Sequence, residues 1–133
     1  MSDSIRYEIS PPLSDEALNA LFAAAWENHA PCDFQARLRH SLLYVGAFSE
    51  GRLVGFVNVA WDGGIHAFLL DTTVHPDFQR HQIGTNLVQT VVVAAGERGI
   101  EWLHVDYEPP LEGFYQRCGF HSTLAGLLNL KRD

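Results

Sequence analysis

The stretch HPDFQRHQIGTNLV, residues 75–88, sets Gln79, Arg80, His81, Gln82, Ile83, Gly84 and Thr85 in front of an amphipathic helical pattern. A helix start presents backbone N–H groups without partners and the positive end of the helix dipole. With flexible residues ahead of it and no acid nearby, such a start is suited to binding an anion. From Phe78 to Thr90 there is no Asp or Glu, in a chain with 16 acidic residues against 9 Lys and Arg. A nucleotide-binding P-loop is excluded, because no G-K-[ST] follows and no lysine lies near. The seven histidines and two cysteines show no zinc-ligand spacing, so no metal is expected. Cys118 has no assignable histidine partner and reads as a packed thiol rather than a nucleophile.

Other elements must hold that helix start in place. IRYEI (5–9) alternates as an opening strand. Ser14 is an N-cap, with Asp15 and Glu16 in the first turn and Leu18, Leu21, Phe22 and Ala25 on one face. Asp33 caps a shorter helix over DFQARLRHS. LLYVGAF and LVGFVNVAW, joined by SEGR, form a predicted hairpin, and IHAFLLDTTV (65–74) follows the turn DGG. Leu87, Val88, Val91, Val92 and Ala95 mark the helix behind the loop, which Gly99 closes. IEWLHVDY (100–107) is a strand, LEGFYQRC a short helix ended by Gly119, and FHSTLAGLLNLK supplies one or two closing strands.

This order predicts one α/β domain over 1–133, with a mixed sheet of six or seven strands and about four helices. Strands 65–74 and 100–107 flank a helix, so they should be parallel and joined by a right-handed crossover. Where parallel strands part at their C-terminal ends a crevice opens for a ligand, and the loop 79–85 lies at that end. A length of 133 residues and 47% hydrophobic content suit one core. The net charge of −7 argues against a nucleic-acid partner and weakly favours a cationic small substrate. Two cysteines make no disulfide framework, and no secretion signal or membrane span is visible, which leads to an expected cytoplasmic location.

From the hairpin to residue 120 the chain resembles the GNAT-type N-acetyltransferases, which use acetyl-CoA. Four features carry the likeness. The element order is the family's, and TVHP resembles the end of its fourth strand. QRHQIGT resembles the pyrophosphate loop Q/R-x-x-G-x-G/A, with Gln79 in first place and Gly84 in the last glycine place. FYQRCGF resembles the aromatic-Tyr-x-x-x-Gly-Phe signature. The resemblance implies a sheet whose two parallel strands splay around the thioester. Backbone groups of Thr72, Thr73 and Val74 would meet the pantetheine arm, and those of Arg80 to Thr85 would wrap the pyrophosphate, with Arg80 adding charge. Two positions depart from the pattern. Gln82 replaces the first glycine, which is tolerable with helical dihedrals but weakens cofactor affinity if φ is positive. Glu108 stands where many relatives have asparagine, and a carboxylate cannot donate a hydrogen bond.

The same likeness implies that Tyr115 protonates the departing CoA sulfur. Asp71, at the cofactor end of its strand, is a base or an anchor for a cationic acceptor, with His66 and Asp106 in reserve; the alternative is a structural carboxylate. Trp26 and His29, near Asp33, sit where relatives shape the acceptor pocket. The implied activity is acetyl transfer from acetyl-CoA to a primary amine of a small molecule or protein, by a monomer or homodimer without nucleic-acid or membrane partners. The alternative is a catalytically silent acyl-CoA-binding module. Tyr115 favours catalysis, whereas Gln82 and Glu108 keep the silent reading open.

Overall fold

The computed structural model describes residues 4–79 and 81–131. Its first elements form where local chemistry directs them. After strand β1 (Ile5–Ile9), helix α1 (Asp15–Ala25) starts at Ser14, whose side chain accepts a hydrogen bond from the Ala17 amide at 3.0 Å. Asp33 caps α2 (Phe34–Leu38) in the same way, accepting from the Ala36 amide at 3.1 Å. Strands β2 (Ser41–Ser49) and β3 (Arg52–Trp61) meet in a two-residue turn. There Glu50 and Gly51 both have positive φ, at 50° and 80°, which matches the right-handed twist of the flanking strands. Asp62 then bends the chain into β4 (His66–Val74) by accepting from the Gly64 amide at 2.7 Å.

The 15-residue helix α3 (Ile83–Glu97) follows a short 3₁₀ turn, Pro76–Phe78. It closes as a Schellman motif: Gly99, with φ of 86°, donates to Gly96 O at 3.1 Å and Ile100 donates to Ala95 O at 3.1 Å. Strand β5 (Trp102–His104) and helix α4 (Glu112–Arg117) complete the elements, with a 3₁₀ turn at Pro109–Leu111 between them. The α4 C-terminus repeats the Schellman pattern, with Gly119 and Phe120 donating to Gln116 O and Tyr115 O at 3.0 Å each.

The sheet order is β1–β2–β3–β4–β5, antiparallel except for the parallel pair β4–β5. One face carries α3, with Ile83, Leu87, Val88, Val91 and Ala94 buried against Val45, Val57, Val59 and Leu69. The other carries α1 and α2, with Leu18, Leu21, Phe22 and Phe34 on Leu53 and Phe56. The α3 backbone comes close because Gly55 has no side chain. A Cβ there would meet Ile83 Cγ2 at 3.0 Å and Leu87 Cδ1 at 3.2 Å. Among the described residues, no helix is long and apolar enough to cross a membrane.

Three expectations are corrected. Among the described residues the sheet has five strands rather than six or seven, since residues 120–131 form no strand. The strand expected over 100–107 is regular only at Trp102–His104, since β4 and the chain beyond His104 part company. Val92 turns toward solvent, and Ala94 takes the core position assigned to it.

Candidate active site

The site begins where the parallel pairing ends. β4 and β5 stay in register at His66–Trp102, Ala67–Leu103 and Phe68–His104, and no further. Past that point the strands diverge around a cleft of about 230 Å³ lined by Trp26, Leu69, Leu70, Asp71, Thr72, Val105, Asp106 and Tyr115. A larger groove of about 890 Å³ lies elsewhere, between the start of α1 and the β2–β3 hairpin, and holds none of these residues. The divergence leaves the inner edge of β4 without a strand partner at the end where α3 starts.

A β-bulge sits at the mouth. Phe56 pairs with Thr73 and Asn58 with Leu70, so Asp71 and Thr72 stand together opposite Val57 alone. The extra residue reverses the side-chain alternation. Below the bulge, Ala67 and Leu69 pack into the α3-side core; above it Val74 does. Thr73 turns instead to the α1 side, where its Oγ1 accepts from Trp26 Nε1 at 3.1 Å and donates to Asp71 O at 2.9 Å. These bonds tie the C-terminal end of α1 to the bulge. Asp71 itself has φ of 62°, in the left-handed region that Asp and Asn tolerate better than most residues. Its carboxylate reaches Arg37 of α2 at 3.6 Å. The side chain is 34% exposed, yet burial still raises its pKa above the usual carboxylate range, with the Arg37 charge lowering it in part.

Tyr115 approaches the same cleft from the other face of the sheet. It is buried in the α3-side core, stacked on Tyr107 at 5.1 Å and edge-on to Phe114 and Phe120 at 4.9 and 5.7 Å. Burial pushes the hydroxyl pKa above the ordinary tyrosine range. The nearby Thr72 hydroxyl pulls it down, and Cys118 and Asp106 push it up again. Thr72 Oγ1 is fully buried and meets no hydrogen-bond partner among the described residues. The two hydroxyls are therefore close enough to influence each other without forming a bond of acceptable geometry. A buried hydroxyl without a partner is costly and needs an explanation.

Beyond β4 the chain forms the predicted helix start. Ile83 is buried in the core, which fixes the first turn of α3 and leaves only its amide at the front. Among the described residues no side chain caps the helix, and the first bond along it is Asn86 N to Gln82 O at 3.0 Å. The amides of Ile83, Gly84 and Thr85 lie before that bond. Gln82 has φ of 59° and ψ of 22°, so the position does require the left-handed conformation for which the family motif provides glycine. Nothing inside the protein requires Gly84, since a Cβ there would make ordinary contact with Phe114 Cζ at 3.6 Å. Gln79 reaches back to Val74 O at 3.5 Å, and His81 is exposed near Phe78, 6.4 Å between ring centroids. Arg80 lies outside the described residues.

The structure thus brings Asp71, Thr72, Tyr115 and Trp26 to one cleft, with Thr73, Val74 and residues 82–85 beyond it toward the start of α3. His29 is placed elsewhere. It bonds Asn19 Oδ1 at 2.8 Å and packs against Phe22 and Phe34 at the α1–α2 junction, outside the cleft lining. Of the two reserve bases, Asp106 lines the cleft, whereas His66 sits at the opposite end of β4, 2.9 Å from His104. The His75 side chain is mostly covered, between Arg52, 2.9 Å away, and the Asp77 amide. Two contributors escape a linear reading. Arg37 stands 34 positions before the carboxylate it meets. Thr72 contributes a hydroxyl rather than only backbone, and no local signal distinguishes it from Thr73.

A five-stranded mixed sheet, a splayed parallel pair and an uncapped helix start at the splayed end define the class structurally. Residues 6–120 match the acetyltransferase (GNAT) family, and the chain belongs to it. An uncharacterized N-acetyltransferase ycf52 of Porphyra purpurea is 30% identical over 87 residues, covering 62% of this chain and 50% of that protein. The GCN5-related N-acetyltransferase 1, chloroplastic, of Arabidopsis thaliana is 29% identical over 118 residues, covering 86% of this chain and 60% of that protein. The chain thus spans half to three-fifths of the length of these relatives. Among solved structures, a GNAT-family acetyltransferase of Streptococcus pneumoniae superposes with a TM-score of 0.78 at 22% identity, covering 98% of this chain and all of that one. The aminoglycoside N-acetyltransferase AAC(6')-Iy in complex with CoA gives 0.78 at 18% identity, covering 100% and 98%. These two likenesses establish the fold.

Proposed function

We propose that residues 1–133 are one acetyltransferase domain that transfers an acetyl group from acetyl-CoA to a primary amine of a small molecule or protein. The observation that carries this reading is the β4–β5 cleft, open beside Tyr115 at the end where α3 offers uncapped amides. The residues present fit an acyl-CoA arm. Among the described residues, Thr72 holds a buried hydroxyl without a partner, and the inner edge of β4 lacks a strand neighbour past Phe68. Thr72 to Val74 would hold the peptide-like arm, and the amides of Ile83, Gly84 and Thr85 the pyrophosphate. The CoA in the solved aminoglycoside N-acetyltransferase is consistent with that assignment.

Bound acetyl-CoA supplies an electrophilic thioester carbonyl. Tyr115 carries its proton at neutral pH as any phenol does, burial raises its pKa further, and it delivers that proton from Oη to the sulfur as the C–S bond breaks. Asp71 attracts the acceptor's ammonium and takes up its proton at a carboxylate oxygen, directly or through water. The neutral nitrogen then forms the new C–N bond as the C–S bond breaks, and the second proton it sheds replaces the one that Tyr115 gave to the sulfur. Arg37 holds the carboxylate in place without burying it, and Trp26 forms a wall on the acceptor side.

The test combines binding with turnover. Acetyl-CoA should raise the melting temperature, and a panel of primary amines should include acceptors that drive release of free CoA. Melting curves that do not move in excess acetyl-CoA would remove the cofactor assignment. A clear shift with no CoA release from any amine would identify a silent acyl-CoA-binding module.

A further inference from the structure

We infer that Asn19 is a positioning residue for the acceptor side of the cleft: it clasps the loop between α1 and α2 and, through that loop, holds Trp26 against the β4 bulge. From Ala17 to Ala25 helix α1 reads ALNALFAAA, and Asn19 is the one polar residue in that run. Asparagine is a poor choice inside a helix, because its amide competes for backbone partners. Here the amide finds those partners in another segment as well as its own.

Asn19 is half-buried and uses both amide protons and both oxygen lone pairs. Nδ2 donates to Asp15 O at 2.9 Å and to Cys32 O at 3.0 Å. Oδ1 accepts from the Cys32 amide at 2.9 Å, and His29 Nε2 lies 2.8 Å from it. With a backbone N–H on one side and two carbonyl oxygens on the other, the side-chain amide fits in one orientation. His29 must then be a donor and carry its hydrogen on Nε2. The two bonds to Cys32 imitate the paired bonds of a sheet ladder and join residues 13 positions apart.

The loop from Trp26 to Asp33 contains no helix or strand, and among the described residues its backbone makes one bond within itself, His29 N to Trp26 O at 3.2 Å. Asn19 fixes the far end of this loop through Cys32. It fixes the middle through His29, whose ring packs on Phe22 and Phe34 and whose amide holds Trp26 O. Trp26 itself is 53% exposed, and its indole meets the bulge through a single bond to Thr73 Oγ1, which donates onward to Asp71 O. A wall held this lightly keeps its place only if the loop behind it is fixed. Asp33, the residue after Cys32, caps α2, so the same clasp also sets where Arg37 meets Asp71. Neither Asn19 nor His29 lines the cleft, and both bear on the acceptor one contact removed. The inference rests on the transfer reading proposed above and concerns its acceptor side alone.

Asn19→Ala removes the clasp and is read in two ways. The NMR signal of the Trp26 indole N–H, identified by its loss in Trp26→Phe, should shift and its exchange with water quicken. With a confirmed amine, kcat/KM should fall by about tenfold, chiefly through KM, against the order of 10² that a 1 Å misplacement can cost. Acetyl-CoA affinity in calorimetry should stay within about twofold. In the Trp26→Phe background the same substitution should add no more than about twofold, because the bond it protects is already gone. Should alanine cost the fold, Asn19→Asp keeps the shape and the two accepted bonds and loses only the donated pair. His29→Gln can still donate from its Nε2 and should behave as the native protein, whereas His29→Leu should act as a milder Asn19→Ala. An unmoved indole signal, an unchanged amine KM, or effects that multiply independently in the double variant would each overturn the proposal. Native protein that releases no CoA with any amine would instead remove the transfer reading, and the acceptor role of Asn19 with it.

Discussion

Thr72→Val makes an isosteric change at a buried hydroxyl that finds no hydrogen bond among the described residues. Leaving such a group unsatisfied costs about 1–3 kcal/mol, and valine also suits a strand. The ligand-free variant is therefore expected to be more stable, by about 1 kcal/mol as a conservative figure. For a chain of this length that corresponds to a melting temperature about 3–5 °C higher. The effect should reverse on binding. If the hydroxyl meets the acyl-CoA arm, its removal loses about 0.5–1.5 kcal/mol, a weakening of roughly twofold to tenfold. The acetyl-CoA-induced shift should shrink accordingly. The assay is a pair of melting curves for each protein, with and without acetyl-CoA at one fixed excess. A further consequence concerns Tyr115, because Thr72 lowers its pKa and burial would then act unopposed. The alkaline limb of turnover should move to higher pH. A ligand-free variant that melts below the native protein would show that Thr72 is satisfied in solution, with Tyr115 Oη as its partner. An unchanged acetyl-CoA shift would remove Thr72 from the binding surface.

Tyr115→Phe retains the ring packing and removes only the hydroxyl. Turnover should fall by about 10²–10⁴, equivalent to about 2.7–5.4 kcal/mol of barrier, with acetyl-CoA affinity nearly constant. Steady-state kinetics with a confirmed acceptor decides this, and an unchanged kcat transfers the protonation to water. Asp71→Asn suits the left-handed backbone and should weaken turnover, most at low pH where the amine is protonated, while calorimetry shows acetyl-CoA binding intact. Full activity across the pH range would make Asp71 structural. The same variant tests linkage. A raised carboxylate pKa means that the folded state holds the proton more tightly, so stability falls as pH rises through the window above the ordinary carboxylate value. Asp71→Asn should therefore melt higher than the native protein above that window and lose the advantage below it, with the lost Arg37 pair reducing the gain. Gln82→Gly relieves a left-handed side chain costing about 1–2 kcal/mol, offset by about 0.5–1 kcal/mol of backbone entropy, and should tighten acetyl-CoA binding. Weaker binding in calorimetry would show that the glutamine side chain contributes to the site. Gly84→Ala meets only ordinary contact at Phe114, so the fold should survive while acetyl-CoA affinity drops. Undiminished affinity would move the pyrophosphate away from this turn.

Much of the scaffold was legible along the chain because its causes are local. Ser14 and Asp33 each find an amide three residues on, Glu50 and Gly51 turn the hairpin by themselves, and Gly99 and Gly119 end their helices within one turn. The acid-free helix start and the Tyr115 signature likewise lie within short stretches. What surrounds Asp71 was decided elsewhere. A period of two predicts an unbroken strand over 65–74, but α3 must bury Leu69 and Val74 on one face while Trp26 takes Thr73 on the other. Those residues cannot share a regular alternation, so the strand accommodates both faces through a bulge at Asp71 and Thr72. That register shift directs Asp71 to Arg37 and leaves the Thr72 hydroxyl without a partner, two features with no local signature. The strand pattern in 120–131 was equally plain in the residues, but pairing needs a neighbour. Among the described residues the segment forms no strand, because backbone hydrogen bonds depend on where two segments come to rest, and not on either segment alone.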